Sequence, residues 1–155
     1  LSTATARLAS RWRAFCRNAA GSTAVEFAFI GLTFLVLMLG ILQFALAFMA
    51  QMYLHDAVSN AATGQTAGTY AGNRAQVVAQ VCARMIAIDN CAANLLLENQ
   101  PLANYGAGTQ PITGAAFVAG AAGTLMLIRA RAPVATFVPG LPTLYVSGAA
   151  LYRRP

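Results

Sequence analysis

Four acidic side chains, one histidine and three cysteines are all that this 155-residue chain offers for acid–base, metal or nucleophile chemistry. The acids are Glu26, Asp56, Asp89 and Glu98, the histidine is His55, and the cysteines are Cys16, Cys82 and Cys91. No Ser-His-Asp set and no metal constellation can be assembled from so few groups, so no enzyme, no cofactor and no metal site is expected. His55-Asp56 is expected to be a hydrated helix face. Gly106-x-Gly108 is not a phosphate loop, because no Lys-Ser/Thr follows it and no long helix opens there.

Two spacings stand out. Cys82 and Cys91 bracket the end of an amphipathic stretch. In an unbroken helix their Cα atoms would lie ~13 Å apart at 1.5 Å per residue, beyond the ~7 Å limit for a bridge. The turn residues Asp89-Asn90 let the chain fold back, which makes a disulfide feasible. A metal site would need about four ligands, and beyond the two thiols there is only His55. The second spacing is Gly21-x4-Glu26-Phe27, one acid at the mouth of a long apolar run.

That run is the element that must position Glu26. After Glu26 no charged residue appears until His55 and Asp56, and Gln43 is its one strongly polar interruption. An apolar stretch of at least ~18 residues is a candidate membrane span, and soluble core helices are rarely apolar on every face for so long. A carboxylate beside hydrocarbon is costly without a partner or a proton.

Charge is distributed to match. The formal net charge is +6, carried by ten basic residues against four acids. Residues 1–21 hold Arg7, Arg11, Arg13 and Arg17 and no acid. A basic cluster beside an apolar span is a topology signal that keeps its side in the cytoplasm; no nucleic-acid partner is expected. The spacing of Leu8, Trp12 and Phe15 predicts one face of a short amphipathic helix, expected to lie on the inner membrane surface. Cys16 on that side is expected to be reduced. The apolar run is too long for a secretory h-region and lacks a convincing exit site.

Taken in order, residues 22 to about 70 predict one continuous helix, membrane-spanning in its first part and Ala-rich beyond. The four-residue recurrence of Gly64, Gly68 and Gly72 is read as a helix losing stability toward a Gly-rich end. Asn73 to Ile88 predicts a second helix with Asn73 as N-cap and Val77, Val78, Val81, Met85 and Ile88 at helical spacing. Asn94 to Leu102 predicts a strand that Pro101 places at an edge or end. Residues 103–123 predict a loop with a short strand near Phe117. Thr124 to Pro133 predicts a strand with Leu125, Leu127, Arg129 and Arg131 on one face and Met126, Ile128 and Ala130 on the other. Leu144 to Tyr152 predicts its antiparallel partner. The fold class is α+β: a long N-terminal transmembrane helix extending outside the membrane, a second short helix, then a small antiparallel sheet.

Gly21, four residues, then Glu26-Phe27 at the edge of an apolar helix resembles the processing site of type IV pilin-like precursors, and the TadE-like minor pilins of the Tad/Flp system in particular. Further likeness lies in Cys82 to Gly106, similar to a cysteine-bracketed turn leading into a strand, and in the close Leu151-Tyr152-Arg153. Ala132-Pro133-Val134-Ala135 departs from the family by lacking an aromatic at that turn. The resemblance implies cleavage by a prepilin peptidase between Gly21 and Ser22, retention of the helix, and an assembly role for Glu26, which would meet the new Ser22 amine of a neighbouring subunit. It implies a basic cytoplasmic leader (1–21), a transmembrane helix (22–54) and an extracytoplasmic domain (55–155). The implied partners are the peptidase, major and other minor Tad pilins, an inner-membrane assembly platform and membrane lipid, with the protein single-pass in the inner membrane. Two rivals remain: an uncleaved TadG-like bitopic anchor, and a membrane-tethered enzyme.

Overall fold

A computed structural model describes residues 20–70, 72–88, 90–106, 110–138 and 140–155. The element order is helix α1 (Ala20–Thr66), helix α2 (Arg74–Arg84), a single-turn helix α3 (Cys91–Asn94), strand β1 (Leu96–Pro101), a 3-10 turn (Leu102–Asn104), strand β2 (Leu125–Pro133) and strand β3 (Tyr145–Arg153). The α+β class read from the sequence is the one observed. By compactness the chain divides into two units, Leu1–Ile41 and Leu42–Pro155.

In the first unit, the described part of α1 from Thr23 to Ile41 shows apolar side chains on every side. Phe27 is 76% exposed and Phe34 63%. The hydroxyl of Thr33 is returned to the helix, donating to the Phe29 carbonyl at 2.9 Å. That is the usual way to keep a hydroxyl satisfied where water is scarce.

In the second unit the pattern becomes one-faced. Gln43, Ala50, Leu54, Ala57, Val58, Ala61, Ala62 and Gln65 are buried, at the helical spacing of a stripe that packs on a core. This stripe lies on the sheet. Strand order is β1-β2-β3, antiparallel throughout. Register pairs Leu97 with Ala130, Asn99 with Ile128 and Pro101 with Met126. It also pairs Ala130 with Gly148 and Met126 with Tyr152. Opposed residues share a face, so these side chains line the face toward the helices. The alternation read for β2 is observed: Met126, Ile128, Ala130 and Ala132 are all buried. Val77 and Val81 of α2 complete the core.

Gly148 explains how closely helix and sheet approach. A Cβ there would stand 3.3 Å from the Leu54 carbonyl oxygen and 3.4 Å from the His55 Cα. The absent side chain lets the β3 backbone lie directly on the backbone of α1.

Helix ends differ from the sequence expectation, for local reasons. α1 stops at Thr66, not near 70, because Gly68 adopts φ +73°. Gly68 N donates to Gln65 O at 3.1 Å and Thr69 N to Gly64 O at 2.9 Å, the paired bonds of a Schellman cap. Gly64 is not merely a weakening residue: a Cβ there would fall inside the Tyr70 ring. Asn73 caps α2 as expected, its side chain accepting from Ala75 N and Gln76 N. α2 ends at Arg84 and not at Ile88, since Met85 is extended and Ala87 takes φ 57°. Met85 and Ile88 still pack on the core, reached from a bend instead of a helix. The carbonyl of Ala87 in that bend accepts from Ala135 N at 3.0 Å. The strand expected from Asn94 begins at Leu96, because Cys91–Asn94 forms α3. Phe117 makes an isolated parallel bridge with Asn99 within an otherwise irregular 110–124.

Cys82 and Cys91 are disulfide-bonded with Cα atoms 5.7 Å apart, joining α2 to the turn that enters β1. Closing so short a loop stabilises the folded chain by about 2.5 kcal/mol. Replacing both cysteines with serine is therefore expected to lower unfolding free energy by about that amount in denaturant titrations of the detergent-solubilised protein. Reductant should bring the unaltered protein to the same midpoint.

Candidate assembly site on the long helix

Of the residues singled out by spacing, Arg7, Arg11, Arg13, Arg17 and Cys16 lie outside the described residues, as does the amphipathic face of Leu8, Trp12 and Phe15. Gly21 and Ser22 fall in the first turn of α1. Glu26 and Phe27 follow on the same helix, both exposed. Cys82 and Cys91 are bonded to each other. The structure thus keeps the Gly-x4-Glu-Phe set on one helical segment and puts the cysteines in the sheet-bearing unit.

The segment around Glu26 has one evident physical character. The helix from Thr23 is long and apolar enough to cross a membrane, and its most apolar window is 0% buried. A core helix of the same composition would be covered. From Val25 to Ile41 each large apolar side chain favours transfer to hydrocarbon by about 0.3–0.6 kcal/mol at mid-bilayer. Eleven such side chains are exposed there, enough to outweigh one acid near the helix end. At 1.5 Å per residue, Thr23 to Ile41 covers about 28 Å, close to a ~30 Å hydrocarbon core.

Residues 21–63 match the TadE-like protein family. The matched segment includes Gly21, Ser22, Glu26, Phe27 and the apolar helix. It ends before α2, the disulfide and the sheet. No curated protein and no solved structure matches the chain.

Downstream of the TadE-like site, the same helix carries two residues whose roles spacing did not disclose. Gln43 is fully buried. Its Nε2 donates to the Ala135 carbonyl at 3.0 Å and its Oε1 accepts from Phe137 N at 3.1 Å. Gln51 does the same for β3: its Nε2 donates to Ser147 O at 2.5 Å and its Oε1 accepts from Ser147 N at 3.0 Å. Each carboxamide presents the donor and acceptor of a peptide group, so Gln51 takes the place of a missing neighbour on the β3 edge and Gln43 closes backbone groups in the connection that follows β2. The visible signal was a Gln in an apolar run; its partners, 92 and 94 residues away, were not visible.

A second polar cluster fixes the irregular segment to the outer side of the sheet. Glu98 is 3% exposed. Its Oε1 accepts from Thr113 N (2.7 Å), Thr113 Oγ1 (2.9 Å) and Gly114 N (3.1 Å), and Oε2 meets Arg129 Nη2 at 2.6 Å. Arg129 also donates to Gln110 O and lies over the Tyr105 ring at 4.4 Å. Burial pushes the Glu98 carboxyl up, but the bonds from Thr113, Arg129 and Gly114 together outweigh it and hold the pKa below its ordinary value. On the inner face, Asn99 Nδ2 donates to Val118 O and contacts the Tyr152 hydroxyl, both at 2.9 Å. Burial raises the Tyr152 pKa against the opposing effects of Asn99 and Arg154. Neither cluster gathers metal ligands: among the described residues no group of three His, Cys, Asp or Glu side chains could hold an ion.

Gln43→Leu is expected to strand two backbone groups at about 1–3 kcal/mol each, and Gln51→Leu, at a more open position, to cost less; unfolding in detergent measures both. Because the folded pKa of Glu98 is depressed, its stabilising effect is complete above the ordinary value of 4.5 and fades as pH falls through the lower folded value. Protection of the Thr113 and Gly114 amides, relative to intrinsic exchange at each pH, should fall in that acid window, and Glu98→Gln should remove that fall.

Proposed function

We propose that this protein is a minor pilin or pseudopilin of a Tad-type pilus, anchored in the inner membrane by α1 and processed by a prepilin peptidase. The observation that carries this reading is the Gly21-x4-Glu26-Phe27 set at the start of a helix whose apolar side chains are uncovered from Val25 to Ile41, inside the TadE-like match. The role is structural, not enzymatic. Partners follow from the family: the peptidase, major and other minor pilins, and an inner-membrane assembly platform.

The chemistry of the site supports processing before assembly. A Gly within a helix weakens it by about 1 kcal/mol relative to Ala. That favours opening of the Gly21–Ser22 bond into an extended form for a protease. Cleavage would leave an α-amino group on Ser22. In a bundle of subunits that amine, positive at neutral pH, would meet the Glu26 carboxylate of a neighbour. Attraction in a medium of low dielectric is strong, though desolvation offsets much of it, so the pair would set axial register more than overall affinity. The Cys82–Cys91 disulfide supports an extracytoplasmic sheet domain, since such bonds persist in oxidising compartments. The basic leader supports a cytoplasmic N-terminus.

Intact-mass and N-terminal peptide analysis of the membrane-extracted protein tests the reading. A start at Ser22 only when the cognate peptidase is present is the expected result. A leader retained in both strains would reject it in favour of the uncleaved TadG-like anchor. Glu26→Ala should leave membrane insertion intact and reduce surface pili by about tenfold or more, the effect of losing roughly 1.4 kcal/mol per subunit contact; unchanged piliation would remove Glu26 from assembly.

A further inference from the structure

The two edges of the sheet are finished differently. On β1, Asn99 N donates to Ala116 O and Val118 N donates to Asn99 O, both at 2.9 Å, so a segment of the same chain lies along that side. β3 is the other edge. Just beyond its ends, Val134 N donates to Leu144 O and Arg154 N to Thr124 O, which puts the even-numbered residues in the ladder with β2. Bonding direction alternates along an antiparallel strand. The N–H and C=O groups of Ser147, Ala149, Leu151 and Arg153 therefore point away from β2. Gln51 takes both groups of Ser147. Among the described residues nothing pairs with those of Ala149 and Leu151.

A bare edge is normally protected by a charge, a proline or a bulge. Here the bare positions are an alanine and a leucine, both exposed, in a register that runs unbroken from Tyr145 to Arg153. Beside them lies a groove of about 400 Å³ between β3 and the last turns of α1, where Ala62, Thr63, Thr66 and Ala67 face Ala150 and Leu151. Thr63 and Thr66 return their hydroxyl protons to the Ser59 and Ala62 carbonyls, so the helix wall is small and largely apolar. What fits such a place is an extended backbone with small side chains on its helix side.

Arg153 sets the charge of the occupant. It is exposed, and its Nε donates to Gly123 O at 3.0 Å. The described acids of this unit are paired elsewhere, Asp56 with Arg84 and Glu98 with Arg129. Directly opposite residues on neighbouring strands favour opposite charge and disfavour like charge. A second copy does not supply that acid on a free strand. Glu26 and Asp56 belong to α1, Asp89 lies between the bonded cysteines, and Glu98 is buried in β1. We propose that β3 accepts an added antiparallel strand from a different protein chain, an extended acidic segment. It bonds Ala149 and Leu151, lays small side chains against α1 and sets a carboxylate opposite Arg153. Such docking does not depend on the chain being a pilin.

Amide hydrogen exchange of the full chain in detergent tests this, with the peptide acetyl-Glu-Thr-Val-Thr-Val-Thr-amide as probe. In the free chain the Ala149 and Leu151 amides should exchange about tenfold or more faster than those of Ala150 and Tyr152, and saturating peptide should slow them by about as much. Slow exchange at both in the free chain, or no slowing by peptide, would overturn the open edge. The same peptide N-methylated at both valines should give no protection; equal protection would overturn backbone pairing. Lysine in place of the glutamate should weaken protection, and Arg153→Glu should reverse that preference. An unchanged preference would overturn the acidic partner. Protection that appears without peptide and grows with protein concentration would replace the foreign strand with a second copy.

Discussion

Two carboxamides hold this architecture together. Gln43 and Gln51 project from a helix and each satisfies one backbone donor and one backbone acceptor of the sheet unit. A helix packed on a sheet ordinarily contributes only apolar side chains, which fix distance but not register along the axis. Hydrogen bonds are directional, so two of them eight residues apart fix where along α1 the sheet attaches. The cost of misplacement is high, because a buried backbone group left unpaired costs about 1–3 kcal/mol.

The same device answers part of the problem of sheet edges. A three-stranded sheet leaves two rows of unpaired backbone groups, which invite pairing with other chains. On β1 the free groups of Asn99 are taken by Ala116 O and Val118 N. On β3, Ser147 is taken by Gln51. The irregular 110–118 segment is needed for this, and Glu98 with Arg129 anchors it from the outer face. A buried ion pair alone would be weak evidence of stability; here Glu98 also accepts three further bonds, which favour its ionised form.

The consequence for function is a division of labour along one helix. From Val25 to Ile41 its large apolar side chains are uncovered. From Gln43 onward one stripe is committed to a folded domain whose small residues, Ala57, Ala61, Ala130 and Gly148, allow close approach.

The sequence by itself determined the elements whose cause is local. The apolar run, the Asn73 cap, the alternation of Met126, Ile128 and Ala130, and the antiparallel return of β3 all follow from spacing and short connections. That Gly21, Glu26 and Phe27 share one helix was legible for the same reason, since they lie within about two helical turns. What only the tertiary structure decided involves partners distant in the chain. Gln43 read as a blemish in a membrane span because the carbonyl it binds lies 92 residues away. Met85 and Ile88 kept helical spacing, yet the Ala87 bend and its bond to Ala135 N drew them into the core by another route. The order in 110–118 depends on Glu98 and Asn99 supplying acceptors and donors to a Gly- and Ala-rich stretch with almost no propensity of its own. Local propensities there amount to a few tenths of a kcal/mol per residue, and a single long-range hydrogen bond of about 1 kcal/mol exceeds them.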